Sequence, residues 1–292
     1  MKIMSINVNS FMGVHTKDVD GIIKSSPGYE GLWFSQRIRD FDSQNKKQVA
    51  IDGIIKIIGK EKPDIIILQE YRRNFPSAID FTKTITGNVY RYKGPFTHQK
   101  KSIHKYGFST AFFIKDDLKY IDESSLDNRL IFSSCNDRVY SVCTEGIIII
   151  GVHLPLDSNT DDRDSIRETT WKEIIAYYEN NTNNTNNTNN TILTIGDFNT
   201  YDNKGENKEA FNLKQQFVDS NAIDLWINAG NPDSTPTQKP NNSRLDYAFI
   251  NNDSNKKINI KLIPEEDDDF ISNEVWKLSD HRMIIVEVED EV

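Results

Sequence analysis

Apolar, β-branched runs recur along the chain at residues 2–8, 64–69, 109–114, 138–143, 147–153, 192–196, 245–250 and 283–288. Each has the length and composition of a buried strand. Between them the period changes twice. Over residues 46–60, Ala50, Ile51, Ile54, Ile55 and Ile58 fall on one helical face, with Ser43 or Asn45 as a cap. Over 165–178, Trp171, Ile174, Ile175 and Tyr178 do the same behind Asp164. Such stripes are core faces. Strands and helices mix with no break in composition, which predicts a single layered α/β domain over 1–292.

Three segments interrupt this order. Residues 10–44 mix Gly, Ser and aromatics without a clear period, as expected of an insertion after the first strand that forms a substrate-side loop. Residues 180–191 repeat N-N-T four times and have almost nothing to bury, so a mobile surface loop is expected there. The acidic run 265–269 reads as a solvated loop that would repel a phosphate backbone.

Composition narrows the class. A chain of 292 residues, 37% hydrophobic and 27% charged, is neither disordered nor fibrous and can bury a full core. With 35 basic and 44 acidic residues the net charge is −9, which excludes a general polyanion-binding protein but leaves room for a local basic patch. Two cysteines, Cys135 and Cys143, make neither a disulfide framework nor a zinc knuckle. The longest apolar run, 147–152, is far short of the ~20 residues a membrane span needs. The strand-like pattern starts at once, with no charged-then-apolar leader before it, so a cytoplasmic location is expected.

Polar residues sit at the strand ends in a pattern that core packing does not require. Asn7 and Asn9 end the first run, and Gln69 and Glu70 the second; His153 ends the run at 147–153. Asp197 and Asn199 follow in GDFN, Asp246 stands in RLDYAFI, and Asp280 and His281 precede the last run in SDHRMIIVEV. Strand ends and loops are where a rigid sheet places reactive groups. One such residue is ordinary turn chemistry. Six such sites in this order are not.

These segments, SINVN, PDIIILQE, HLP, GDFN, RLDY and SDH, span nearly the whole chain. As a set they resemble the endonuclease/exonuclease/phosphatase superfamily of metal-dependent phosphodiesterases. The resemblance implies a four-layered α/β sandwich, two packed mixed β-sheets flanked by helices, with the site at one edge. It also implies a divalent cation, magnesium or in its place manganese, held by Glu70 with Asp280 or Asn7 nearby. Such hard ions take one or two carboxylates and let a substrate phosphate complete the shell. By the same resemblance Asp197 is placed to activate an in-line water, with Asn199 orienting it or the phosphate, and His281 faces the phosphate while Asp246 holds its other ring nitrogen. Members of the family use the counterpart of either Asp197 or His281 as the base, and both remain open here.

The branch is set by fewer residues. N-V-N and the segment 99–114 resemble bacterial exonuclease III and apurinic endonucleases, which commonly have tyrosine where this chain has His153. Deoxyribonuclease I-like and sphingomyelinase-like members carry histidine there, able to protonate a leaving alkoxide or stabilise a pentacovalent phosphate. Residues 89–106 hold Arg91, Lys93, Lys100, Lys101 and Lys105 with Tyr106 and other aromatics, and no acidic residue. Basic groups release counterions from a polyanion and rings stack on bases, so this segment, with Asn9 at the site's rim, is the expected DNA contact. The leading expectation is therefore a DNA endonuclease or exonuclease. The alternative is a hydrolase of smaller phosphoesters, a nucleotide, inositol phosphate or phospholipid head group, favoured by the net charge and by the loop at 10–44. The crowding of like charges argues against an inert binding module.

Overall fold

The computed structural model describes residues 1–9, 44–71, 76–87, 89–94, 109–120, 138–155, 161–182, 191–201, 208–220, 222–238, 242–251, 256–265 and 278–290. The chain begins β1 (Lys2–Asn7), α1 (Gln44–Glu61), β2 (Ile65–Tyr71), α2 (Pro76–Thr86), β3 (Tyr90–Lys93) and β4 (Ser109–Lys115). It continues β5 (Val139–Thr144), β6 (Ile147–His153), α3 (Asp161–Thr182), β7 (Thr191–Asp197), α4 (Lys208–Ser220), β8 (Ala222–Asp224) and α5 (Leu225–Asn228). It ends β9 (Asp246–Asn251), β10 (Lys256–Ile263) and β11 (Met283–Asp290). A six-stranded sheet has the order β10-β11-β1-β2-β4-β3, and a five-stranded sheet the order β5-β6-β7-β9-β8. Both are mixed: β1 runs parallel to β2 and β6 parallel to β7, and every other pair is antiparallel.

Strand alternation sorts the side chains into layers. Ile3, Ile65, Ile67, Phe112 and Ile114 of the first sheet meet Val142, Ile147, Ile149, Leu193, Ile195 and Ala248 of the second in a dry interface. The opposite face of the first sheet, Met4, Ile6, Ile66, Leu68 and Phe113, is covered by Ile51, Ile54 and Ile58 of α1 and Ala78, Phe81 and Ile85 of α2. Trp171, Ile174, Ile175 and Tyr178 of α3, with Leu213 and Phe217 of α4, cover the outer face of the second sheet. The result is the expected four-layered sandwich of two mixed sheets flanked by helices.

Several boundaries differ from the sequence pattern. Asp164 lies inside α3, not ahead of it, and the helix continues through Asn180, Asn181 and Thr182, the start of the expected loop. The helix therefore begins before its apolar stripe does. Gln44 opens α1 and Thr191 opens β7, so both expected loops are shorter at these ends, and residues 10–43 and 183–190 lie outside the described residues. Residues 90–93, expected as part of a basic loop, form the edge strand β3. No helix among the described residues is long and apolar enough to cross a membrane.

Candidate active site

The same alternation that fills the interface with isoleucines ends in polar residues. Along β6 the inward positions Ile147 and Ile149 lead to His153; along β7, Leu193 and Ile195 lead to Asp197; along β9, Ala248 and Ile250 share a face with Asp246. Strand register then sets these three abreast, His153 opposite Asp197 and Asp197 opposite Asp246. All three are at least nine-tenths buried. Gly196 makes the approach to Asp197 feasible: it has φ +144°, and a Cβ there would sit 2.1 Å from the Val152 carbonyl oxygen. Only glycine fits both the conformation and the space.

The first sheet contributes from the other side. Strict alternation would send Glu70 toward the helix layer, but the β2–β4 register shifts between Leu68 and Tyr71 and Glu70 adopts φ 52°. This bulge returns Tyr71 to the outer face and frees the carboxylate to turn to the edge. Asn9 (φ 42°) and Asn199 (φ 46°) are also left-handed. A bulky residue such as Glu in that region costs on the order of 1 kcal/mol, and such costs gather at functional sites. Asn7 joins the two sheets, its Nδ2 donating to Glu70 Oε1 at 3.3 Å and to Asp197 Oδ2 at 2.9 Å. Its Oδ1 accepts the Asn9 N–H at 2.9 Å. The Asn199 N–H donates to Asp197 Oδ1 at 3.0 Å, and Asn199 Nδ2 donates to the Leu154 carbonyl at 2.7 Å.

His281 completes the cluster. Its Nδ1 lies 2.8 Å from Asp246 Oδ2. The Ser279 hydroxyl donates to the Asn7 carbonyl and accepts the His281 N–H, which pins this turn to the end of β1. A strap at Thr237 and Gln238 ties the pair together: Thr237 Oγ1 accepts the Asp246 N–H, and Gln238 bridges to the His281 backbone. Burial alone would push the imidazole down, but the Asp246 carboxylate, with Asp197 and Asp280 also facing it, holds its pKa well above the ordinary value. The surrounding carboxylates thus favour the charged imidazolium. Burial, with Asp246 repulsion added, pushes the Asp197 carboxyl up to about 7. Glu70 is also raised, by burial first and by Asp280 second.

Two groups of side chains are candidates for a cation. Ligand atoms of Asp197, Asp246 and His281 lie within 4.8 Å of one another. Yet His281 Nδ1 is engaged by Asp246, and both Asp197 oxygens accept hydrogen bonds, an arrangement suited to handling protons. Glu70 and Asp280 form the better seat: like charges face each other, and Asp280 Oδ1 is buried with no hydrogen-bond partner among the described residues. An orphaned oxygen beside a second carboxylate is a hard, oxygen-only donor set, which fits magnesium or manganese. Asn7 stands at the same place, but its amide nitrogen, not its oxygen, faces the carboxylates, since these can only accept.

Arg91 and Lys93 are not brought to this edge. Arg91 lies at the opposite end of the sheet, opposite Ile114, where its guanidinium meets Asp116 Oδ1 at 3.1 Å and three backbone carbonyls. Lys93 lies over the Tyr120 ring at 5.5 Å. The antiparallel β3–β4 pairing runs this end away from Glu70, which the basic composition could not reveal. Lys100, Lys101, Lys105 and Tyr106 lie outside the described residues. Sequence reasoning missed Arg138, buried at the head of β5, whose Nη1 is 3.3 Å from His153 Nδ1. It also missed fully buried Arg167 on α3, which donates to the Asn199 carbonyl at 3.1 Å. A charged residue at the start of a buried run was the only signal for Arg138, and an arginine within a helical stripe gave none for Arg167.

The family described as Endonuclease/Exonuclease/phosphatase matches residues 4–281. Among solved structures the chain is similar to D. rerio TDP2 humanized by 14 mutations, with 15% identity, TM-score 0.57, and 99% of this chain and 98% of that one covered. It is similar to an AP endonuclease from Archaeoglobus fulgidus, with 13% identity, TM-score 0.60 and 99% of both chains covered. The 3'-5' exonuclease NExo from Neisseria meningitidis matches with 13% identity, TM-score 0.57, and 99% of this chain and 100% of that one covered. At these identities the likeness is one of fold. No curated protein sequence matches the chain. The family match spans both sheets and every element that feeds the buried cluster, and the chain belongs to the endonuclease/exonuclease/phosphatase family of hydrolytic enzymes.

Proposed function

We propose that the protein is a magnesium-dependent phosphodiesterase that cleaves DNA as an endonuclease or exonuclease, by in-line attack of an activated water. The observation that carries this reading is the convergence of Asp197, Asp246 and His281 beside Glu70 at one rim of the sandwich. D. rerio TDP2 is known in complex with a single strand DNA product, and NExo with a product DNA hairpin, and the same class of substrate is proposed here. A divalent cation at Glu70 and Asp280 would neutralise charge on a phosphoryl oxygen and on the departing oxygen.

The chain's own groups do the rest. Asp197 accepts the proton of the attacking water; its pKa near neutrality matches that role, and Asn7 and the Asn199 N–H fix its plane. His281, whose charged form Asp246 favours, donates Nε2–H to a phosphoryl oxygen rather than acting as base. His153, with Nε2 3.8 Å from Glu70 Oε1, lines the side of the site nearest the cation seat. Purified protein incubated with plasmid, single-stranded and abasic DNA is expected to cleave at least one of them with magnesium and none with EDTA. Failure to cut any form removes the reading.

A second reading, hydrolysis of a small phosphoester, is supported by the net charge of −9 and by the placement of Arg91 and Lys93 away from the rim. Salt separates the two, because only an extended polyanion contact weakens steeply as ionic strength rises.

A further inference from the structure

Four large apolar or aromatic side chains are conspicuously exposed among the described residues: Ile79, Val89, Tyr201 and Ile227. Of these, Tyr201 alone adjoins a residue of the catalytic rim. It follows Asn199 by two positions, so the two Cα atoms lie within about 7 Å. The chain leading to it is held rigidly. Arg167 donates to the Asn199 carbonyl at 3.1 Å, and Trp171 Nε1 donates to Thr200 Oγ1 at 3.1 Å. Thr200 Oγ1 donates in turn to the Phe198 carbonyl at 2.9 Å, and Tyr247 Oη lies 2.8 Å from the Thr200 carbonyl. The neighbouring aromatics Trp171, Phe198, Phe217, Tyr247 and Phe249 form a closed, fully buried cluster. Tyr201 is 44% exposed and stands outside it.

An aromatic ring at the end of an immobilised turn, beside groups arranged for phosphate chemistry, is a surface for a flat ligand. We infer that Tyr201 stacks on a nucleobase next to the scissile phosphate, and so favours nucleotide chains over phosphoesters that lack a base. This rests on the DNA-cleaving reading and goes beyond it by naming a specificity-determining contact.

The test compares two oligodeoxynucleotides of one sequence, one intact and one with tetrahydrofuran in place of the bases flanking the cleaved linkage. Stacking on one base corresponds to roughly a 5- to 150-fold effect on affinity. Tyr201→Ala is expected to raise KM for the intact strand by that factor, and to change KM for the base-less strand by less than about twofold. Tyr201→Phe, which keeps the ring, is expected to restore the intact-strand KM. Equal losses on both strands, or no loss on the intact strand, overturn the stacking role while leaving the DNA reading in place. A wild-type protein that cuts neither strand nor plasmid overturns both.

Discussion

Asp197 and His281 face each other across a few ångströms, yet their surroundings drive them to different protonation states. Burial raises the carboxyl to about 7, and Asp246 favours the charged imidazole. A base must be ionised to act, so activity is expected to rise with pH through a limb near 7 and to fall only well above the ordinary histidine range. A profile of kcat/KM against pH checks this; an ascending limb near pH 4, where an unperturbed Asp titrates, would contradict the raised pKa of Asp197. Asp197→Asn keeps the shape, removes the base, and is expected to cut kcat by at least ~100-fold with a native circular dichroism spectrum. Asn7, Glu70, Asp197, Asp246 and His281 were legible in the sequence because a charged or amide residue at either end of an apolar run has no packing reason to be there. Arg138, Arg167 and Tyr201 were not, because their surroundings arise from contacts 15 to 32 residues away or from exposure that no local pattern encodes.

At the level of elements, the edge of the second sheet depends on one buried ion pair. Asp224 ends β8, caps α5 through the Trp226 and Ile227 N–H groups, and meets Arg244 Nη2 at 2.6 Å. Both side chains are 5% exposed, and the guanidinium lies over the Tyr247 ring at 4.5 Å, one residue from Asp246. Removing the carboxylate leaves a buried cation with, among the described residues, Asp233, itself 59% exposed, as its remaining ion-pair partner. Asp224→Ala is expected to lower stability by about 3 kcal/mol in urea unfolding, because an uncompensated buried charge is costly. A loss under ~1 kcal/mol would mean that Asp233 alone suffices. The long central strands were legible from their isoleucine runs. The edge strands β3, β8 and β10 were not: β10 alternates lysine and asparagine with isoleucine, as befits a strand with one open side, and β8 spans three residues. The bulge at Glu70 was also hidden, since nothing in I-I-I-L-Q-E-Y marks where the period slips.

At the scale of the whole molecule, the site exists only because two sheets drawn from separate stretches of sequence are packed face to face. The Asn7–Asp197 hydrogen bond closes 190 residues of chain, and the Ser279–Asn7 bond 272. The sandwich architecture could be read from the spread of strands with helices between them and from the resemblance of six short motifs. The position of Arg91 could not, because the β3–β4 register, not sequence proximity, sets it opposite Ile114 at the far end. If Asp197 and His281 act as one catalytic unit, a double-mutant cycle on DNA cleavage with Asp197→Asn, His281→Ala and the double variant reveals it. Each single change is expected to cost at least ~100-fold, and the pair far less than the product of the two losses, as for residues that work in one step. Losses that simply multiply, or single variants with near-native turnover, would contradict the account.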